Sequence, residues 1–350
     1  MQPYHREELW FPCSLDILAW DEHFHALMLG DRLRMTAYEA AIKCAVRPGD
    51  IVVDLGTGTG ILAHWACEAG ARRVYGIECS HSVLEMAKQR LAQAGYENRF
   101  IGIHALSYAV ELPEKADLII SEIIGNIGDN EDCTAILADA RRRMLAPGGR
   151  MLPQNIATYF VPVSAPAVHG QILSGVCQSV SETQDVRKLL DTLGLASPFD
   201  VYYDVILPRS TYLAEARPGL CFDFCQGVNP TAYAITLRFT AKTSGSVTGF
   251  KGFFVAQLAD TVILDIEGED HGDGQYSDSW KHCYLPLEHP LDVQTGDIVV
   301  FTLVRREADR STSPFSCRYT WRATVAPPDD SNTFASTPKR QEQHLGIAAG

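Results

Sequence analysis

The segment Ile51-Val-Val-Asp54-Leu-Gly56-Thr-Gly58-Thr-Gly60 limits the possible folds more than any other part of the chain. IVVDL is an apolar run carrying one acid, with the length and flanks of a buried parallel strand. Three glycines follow at every second position, and ILAHWACEAG then reads as a helix closed by Gly70. A strand that turns through glycines into a helix is one βα unit of a parallel sheet. Its loop lies at the carboxyl end of the strand, the edge where such sheets take ligands.

The unit repeats. RVYGIE (73–78) is a second strand, HSVLEMAKQRLAQAG a helix, FIGIHA a third strand and ADLIISE (116–122) a fourth. TAILADARRRMLAPGG is a further helix with its glycine stop, and TAYEAAIKCAV (36–46) is an amphipathic helix ahead of the first strand. Alternation of this kind to about residue 150 predicts a doubly wound, Rossmann-like α/β sheet. Past residue 155 the pattern changes to ATYFVPV, AYAITLRFTA, GFKGFFVAQL, DTVILDI, DIVVFTLVRR and YTWRATV, which predict an antiparallel sandwich or barrel. Residues 165–200 interrupt these strands with the helical pattern ETQDVRKLLDTLGL and read as an inserted arm. The expected division is an α/β domain over 1–152, a β-barrel domain over 153–330 and a loosely ordered tail over 331–350.

The chain carries 30 Lys+Arg against 43 Asp+Glu, a net charge of −13 spread over both halves. Such a surface repels phosphate backbones, so nucleic acid is not an expected partner, and it favours cationic ligands. The ten cysteines form no CxxC pair, which argues against a metal site and for a reduced, cytoplasmic protein. No apolar run approaches the ~18 residues of a membrane span, and no signal-peptide core precedes the first helix.

The glycine loop lets backbone pass close to a ligand. Its spacing, with Gly56, Gly58 and Gly60, departs from the dinucleotide GxGxxG and agrees with the GxGxG of enzymes that use S-adenosylmethionine (SAM); no P-loop is present. Asp54 ends the strand that feeds the loop. Glu78, at the end of the second strand, sits where a carboxylate accepts hydrogen bonds from both ribose hydroxyls. The fourth strand leads into Ser121-Glu122-Ile-Ile-Gly125-Asn126-Ile-Gly128-Asp129-Asn130-Glu131. Glu122 and Glu131 can face each other across a hairpin that pivots on Gly125 and Gly128. Two carboxylates held close repel unless a cation lies between them. A guanidinium is planar and permanently charged, and its fork matches carboxylates.

SEIIGNIGDNE resembles the double-glutamate loop of protein arginine methyltransferases, with its two glutamates nine residues apart; the GDNE ending is closest to the branch that makes monomethyl and symmetric dimethyl arginine. DLGTGTGIL…AGARRVYGIECS and ELPEKADLIISE resemble the family's cofactor segment, and LPQNIATYFVPV its junction into a β-barrel. The resemblance spans about residues 15–325. It implies SAM as cofactor, S-adenosylhomocysteine as its product, arginine as acceptor and a homodimer formed through the 165–200 arm. HALMLGDRLRMTAY (25–38) is similar to the family's N-terminal helix, which implies that Arg34 meets the methionine carboxylate and that His25 lies near the cofactor. Ser107 and Tyr108 stand where the family often places a glutamate on adenine. The family's Thr-His-Trp loop reads Asp278-Ser279-Trp280, so the histidine is missing and Trp280 is left to wall the guanidinium pocket.

On this reading Glu122 bridges two guanidinium nitrogens and Glu131 grips the other side, concentrating charge away from the nitrogen to be methylated. Asp21, His25 and Asp129 are expected behind them. The acceptor is free L-arginine or arginine in a protein. The compact chain and the bacterial character of its Ala/Arg/Gly/Pro usage favour free arginine, which some bacterial relatives methylate in natural-product pathways. His282 and Arg305 are the candidates to bind its α-carboxylate and α-amine. A non-catalytic arginine-binding subunit is the alternative of another class.

Overall fold

A computed structural model describes residues 9–10, 22–178, 183–185, 196–268, 277, 279–307, 317–328, 339–341 and 346–348. In chain order the first half contains β1 (Leu9–Trp10), α1 (Glu22–Gly30), α2 (Arg32–Ala45), β2 (Ile51–Leu55), α3 (Ile61–Glu68), β3 (Arg73–Glu78), α4 (His81–Gln93), β4 (Phe100–His104), β5 (Ala116–Ser121), α5 (Cys133–Met144) and β6 (Leu145–Leu152). Strands β2 to β6 form one parallel sheet in the order β4-β3-β2-β5-β6. The order reverses between β2 and β5, which makes that boundary the crevice of a doubly wound sheet. Both strands are buried almost throughout, as their apolar runs require.

Two details differ from the sequence reading. Helix α2 begins four residues earlier than its apolar pattern suggested, because Asp31 caps it by accepting the Arg34 N–H at 3.1 Å. Helix α5 ends at Met144 rather than at the glycines, and Leu145–Leu152 carries Gly148 and Gly149 into β6.

The second half contains β7 (Asn155–Val163), α6 (Pro166–Ser174), β8 (Val176–Gln178), β9 (Thr183–Asp185), β10 (Tyr203–Val205), β11 (Arg217–Asp223), β12 (Tyr233–Thr240), β13 (Gly245–Ala259), β14 (Val262–Asp265), β15 (His282–Val293), β16 (Ile298–Glu307), β17 (Cys317–Ala326), β18 (Lys339–Gln341) and β19 (Gly346–Ala348). They build two largely antiparallel sheets, one ordered β11-β7-β13-β15-β10-β1-β8-β9 with β14 on β13, the other β12-β16-β17 with β18 and β19 on β17. The sheets face each other in a barrel-like sandwich, with Phe250 of β13 stacked on Phe301 of β16 at 4.1 Å. β15 escaped the sequence reading because Pro286 and Pro290 interrupt its run. In the arm, Thr183–Asp185 is a strand where a helix was expected, and the remainder of the helical pattern, 186–195, lies outside the described residues.

The two halves share a hydrophobic core. Tyr38, Ile42 and Leu118 of the first pack in one cluster with Ile156, Phe254, Leu264 and Trp280 of the second. This common core fixes the second half against the crevice between β2 and β5.

Candidate active site

Leu55 pairs with Ser121 at the ends of β2 and β5. The glycine loop leaving β2 and the glutamate loop leaving β5 therefore open side by side at one edge of the sheet. A single cavity covers this edge. Gly56, Gly58, Glu78 and Ser107 line one part of it, and His25, Arg34, Glu122 and Glu131 the other. Met28, Ile77, Leu106 and Ile123 complete an apolar wall that the sequence did not flag, because single apolar residues carry no motif.

Gly58 has φ +52°, and a Cβ there would lie 3.6 Å from the His25 ring. The bare backbone keeps the floor of the cavity open beneath α1. Glu78 is held by two backbone donors, the Gly58 N–H at 3.0 Å and the Ser80 N–H at 2.9 Å. The Cys79 thiol also donates to the oxygen that Ser80 holds, at 3.4 Å, and the oxygen facing Gly58 keeps a lone pair for a ribose hydroxyl.

Three expected cofactor residues stand away from the cavity wall. Asp54 is buried under the loop, where it accepts the Thr57 hydroxyl at 2.6 Å; burial pushes its carboxyl up to about 7, against the pull of that bond. It supports the loop from below instead of lining the cavity. Gly60 caps α3, and its missing Cβ makes room for Ala87 and Leu91 of α4. Tyr108 is 37 % exposed and outside the lining, so the wall at this point is Leu106 and Ser107.

The glutamate loop is a hairpin, with Gly125 and Gly128 bridged and the Gly128 N–H donating to the Gly125 carbonyl at 2.7 Å. A Cβ on Gly125 would fall 2.0 Å from Asn130 Oδ1. That oxygen accepts the Ile127 N–H, and Asn130 Nδ2 donates to Asn126 Oδ1 and the Tyr202 hydroxyl. Asp129 lies behind the loop. It is buried among Arg305 and the hydroxyls of Tyr319 (2.7 Å) and Tyr233 (3.2 Å), where desolvation raises its pKa against their opposing pull.

Arg34 lines the cavity, where its guanidinium forms a buried ion pair with Glu122 and lies 4.9 Å over the Trp280 ring. Burial pulls its pKa down to about 10, with Tyr38, Asp31 and Glu131 opposing, and it stays charged at neutral pH. Glu131 lines the cavity and is half-buried. Burial pushes its carboxyl up to about 7, Arg34 pulls it down and Asp204 pushes it up.

The missing histidine is replaced. Asp31 Oδ2 accepts the Ser279 hydroxyl (2.7 Å), the Ser279 N–H (3.0 Å) and the Ser277 hydroxyl, which ties α2 to the segment before β15. Trp280 Nε1 donates to the Ile124 carbonyl at 2.7 Å, and its ring meets Phe254 edge-on. Trp280 is thus a core residue and also the wall behind the Arg34 guanidinium. Asp21 and Asp278 lie outside the described residues.

His282 and Arg305 do not reach the cavity. His282 is buried with the Leu207 N–H on Nδ1 and the Ile266 carbonyl at Nε2, and burial drives its pKa well below the usual value. Arg305 is fully buried, paired with Asp129 and Asp132. Neither is placed to bind the amino-acid end of an arginine.

The residues present fit SAM. The glycine floor, the Glu78 oxygens and the apolar wall suit its nucleoside. Arg34 lines the cavity with a buried Nε that has no hydrogen-bond partner among the described residues, a donor for a carboxylate. No cluster of His, Cys, Asp or Glu suited to a metal occurs among the described residues, and none of their helices is long and apolar enough to cross a membrane.

Residues 52–149 match a family model described as a methyltransferase domain, and residues 155–333 one described as the PRMT5 oligomerisation domain. Protein arginine N-methyltransferase 6 of Xenopus laevis is 31 % identical over 314 residues, spanning 84 % of this chain and 87 % of that one. An arginine N(omega)-methyltransferase of Streptomyces achromogenes subsp. streptozoticus is 28 % identical over 80 % of this chain and 75 % of its own length. A probable protein arginine N-methyltransferase 6 of Arabidopsis thaliana is 37 % identical over 144 residues, and there the match spans only 33 % of the relative. The structure of Arabidopsis thaliana protein arginine methyltransferase 10 superposes with a TM-score of 0.73 over 90 % of this chain and 96 % of that one, at 21 % identity. With its glycine loop and double-glutamate hairpin on adjacent strands and its match over both halves, the chain belongs to the protein arginine N-methyltransferase family of SAM-dependent enzymes.

Proposed function

We propose that this protein methylates an ω-nitrogen of arginine, with free L-arginine as acceptor and Nω-methyl-L-arginine as product. One observation carries the guanidinium acceptor: the glutamate hairpin already receives a guanidinium, that of Arg34, between Glu122 and the Trp280 ring. Glu131 lines the same cavity, so two carboxylates face the one guanidinium of Arg34, which leaves negative charge to receive another.

SAM supplies an electrophilic methyl group on a sulfonium. The protein's own task is to align and activate the acceptor. Glu122 and Glu131 draw positive charge onto the nitrogens they bind, which leaves the remaining nitrogen more nucleophilic. Holding that nitrogen in line supplies much of the barrier reduction. Glu131, with its raised pKa, is the better placed of the two to take up the proton the acceptor loses. Glu122→Gln and Glu131→Gln are each expected to lower turnover at least about a hundredfold while SAM still binds; methylation by both at the wild-type rate, followed with labelled SAM, overturns this assignment.

The choice of free arginine draws support from the Streptomyces relative, whose name gives arginine and not protein arginine as the acceptor and which is matched over three quarters of its length. The Xenopus relative, named a protein arginine methyltransferase, supports the second reading, arginine within a protein segment. Incubation with SAM and either L-arginine or an Arg-Gly-rich peptide, followed by mass spectrometry, separates the two. A protein that binds arginine and methylates neither would be a regulatory subunit. The second half matches a domain described by oligomerisation, which supports a homodimer, testable by light scattering.

A further inference from the structure

A third carboxylate, outside the cavity wall and on neither loop, lies behind the glutamate hairpin. Asp204 is the middle residue of β10, paired with Trp10 of β1 on one side and Cys283 of β15 on the other. It is 4 % exposed, and its Oδ1 accepts the Asn126 Nδ2 at 2.7 Å. Asn126 lies inside the glutamate hairpin and also accepts from Asn130, the residue that holds the Ile127 N–H. A chain of buried hydrogen bonds therefore runs from the second half of the protein into the loop that carries Glu122 and Glu131. Asp204 is also close enough to oppose ionisation of Glu131 and of Cys283 across the strand.

We infer that Asp204 is a positioning residue for the transfer reaction: it fixes the glutamate hairpin through Asn126 and holds its carboxylate within electrostatic reach of Glu131. The groups around Glu131 set this balance. Among the described residues Arg34 on α2 supplies positive charge, and Glu122 on the opposite arm of the hairpin, Asp204 on β10 and Cys133 at the head of α5 are the other titratable neighbours. The Lys281 ammonium lies 4.5 Å from the ring of Trp10, the residue opposite Asp204. Arg34 is already shared with Glu122. The hairpin holds Glu131 in place, and Asp204 opposes the pull of Arg34 on it.

The inference rests on the reading of Glu131 as an acceptor-binding carboxylate, and two variants separate its parts. Asp204→Asn keeps an oxygen for the Asn126 amide and removes the charge; Asp204→Ala removes both. In protein labelled with 13C at the glutamate carboxyls, the Glu131 signal, identified by its loss in Glu131→Gln, is titrated without acceptor. Asp204→Asn is expected to move this titration down by about one pH unit and to move the acid limb of kcat/KM by the same amount. Asp204→Ala is expected to lower kcat/KM about tenfold or more beyond Asp204→Asn, through the loosened hairpin. A Glu131 titration in Asp204→Asn that superimposes on wild type overturns the inference, as do wild-type kinetics in Asp204→Ala. Failure of the wild-type protein to methylate arginine overturns the functional reading instead and leaves the titration result standing.

Discussion

Glu131 is governed by opposing effects. Desolvation and Asp204 favour its neutral form and Arg34 its charged form, and the result is a pKa of about 7. Only the ionised carboxylate grips a guanidinium, so arginine affinity is expected to rise with pH up to about 7 and to level off above it. Below that point KM for arginine should increase about tenfold per pH unit; a profile flat from pH 6 to 8 would contradict this. The same shift bears on folding. Its folded-state pKa is raised, so the stabilising contribution of the bound proton is complete below the unfolded value near 4.5 and is lost as pH rises through about 7. The sequence identified both glutamates, because their spacing and flanking glycines form a motif. It could not identify Asp204, whose position depends on strand pairing far along the chain.

Helix α2 carries Arg34, and Asp31 at its N-cap holds it in place. The family's histidine is absent, and two serines supply three donors to one carboxylate oxygen of Asp31. Ser279→Ala removes one of these donors and leaves the other two. It should cost about 1 kcal/mol and weaken SAM binding several-fold, read by calorimetry. Asp31→Ala removes the acceptor of all three together with the cap, and should weaken SAM binding more. Equal affinity in both variants and wild type would show that α2 needs no tether. The sequence marked the loss of the histidine but not its replacement, because Ser277 and Ser279 have no signature apart from a partner 246 and 248 residues away.

The two halves of the molecule meet around Arg305. It is fully buried on β16, and it pairs with Asp129 and Asp132 next to the glutamate hairpin. Burial works to lower its pKa, but Tyr319, Asp129, Cys317 and Asp132 together raise it above the ordinary value. Removing one partner of such a cluster leaves uncompensated charge in the interior. Arg305→Ala is expected to destabilise the protein by roughly 3–5 kcal/mol, measured by denaturant unfolding, and to lower activity by loosening the hairpin. Arg305→Met together with Asp129→Asn and Asp132→Asn should recover much of the stability. A single variant as stable as wild type would remove Arg305 from this role. Sequence reasoning offered Arg305 as a ligand for free arginine, because a lone arginine in a strand does not show which side of the sheet it faces.

Local pattern alone determined the strand–glycine–helix unit, the change from α/β to antiparallel strands and the two glutamates of the hairpin. Each is encoded over a few neighbouring residues, by periodicity, by glycines that make room for a ligand or close a hairpin, or by the spacing of like charges. Contacts between residues far apart in the chain required the tertiary structure. It seated the Arg34 guanidinium on Glu122, moved Asp54 and Tyr108 out of the cavity wall, turned His282 and Arg305 inward and brought Asp204 to Glu131. The reason is physical. The environment of a buried charge is set by the groups packed around it, and these come from β10, β16 and the segment before β15, whose register appears only once the sheets have formed.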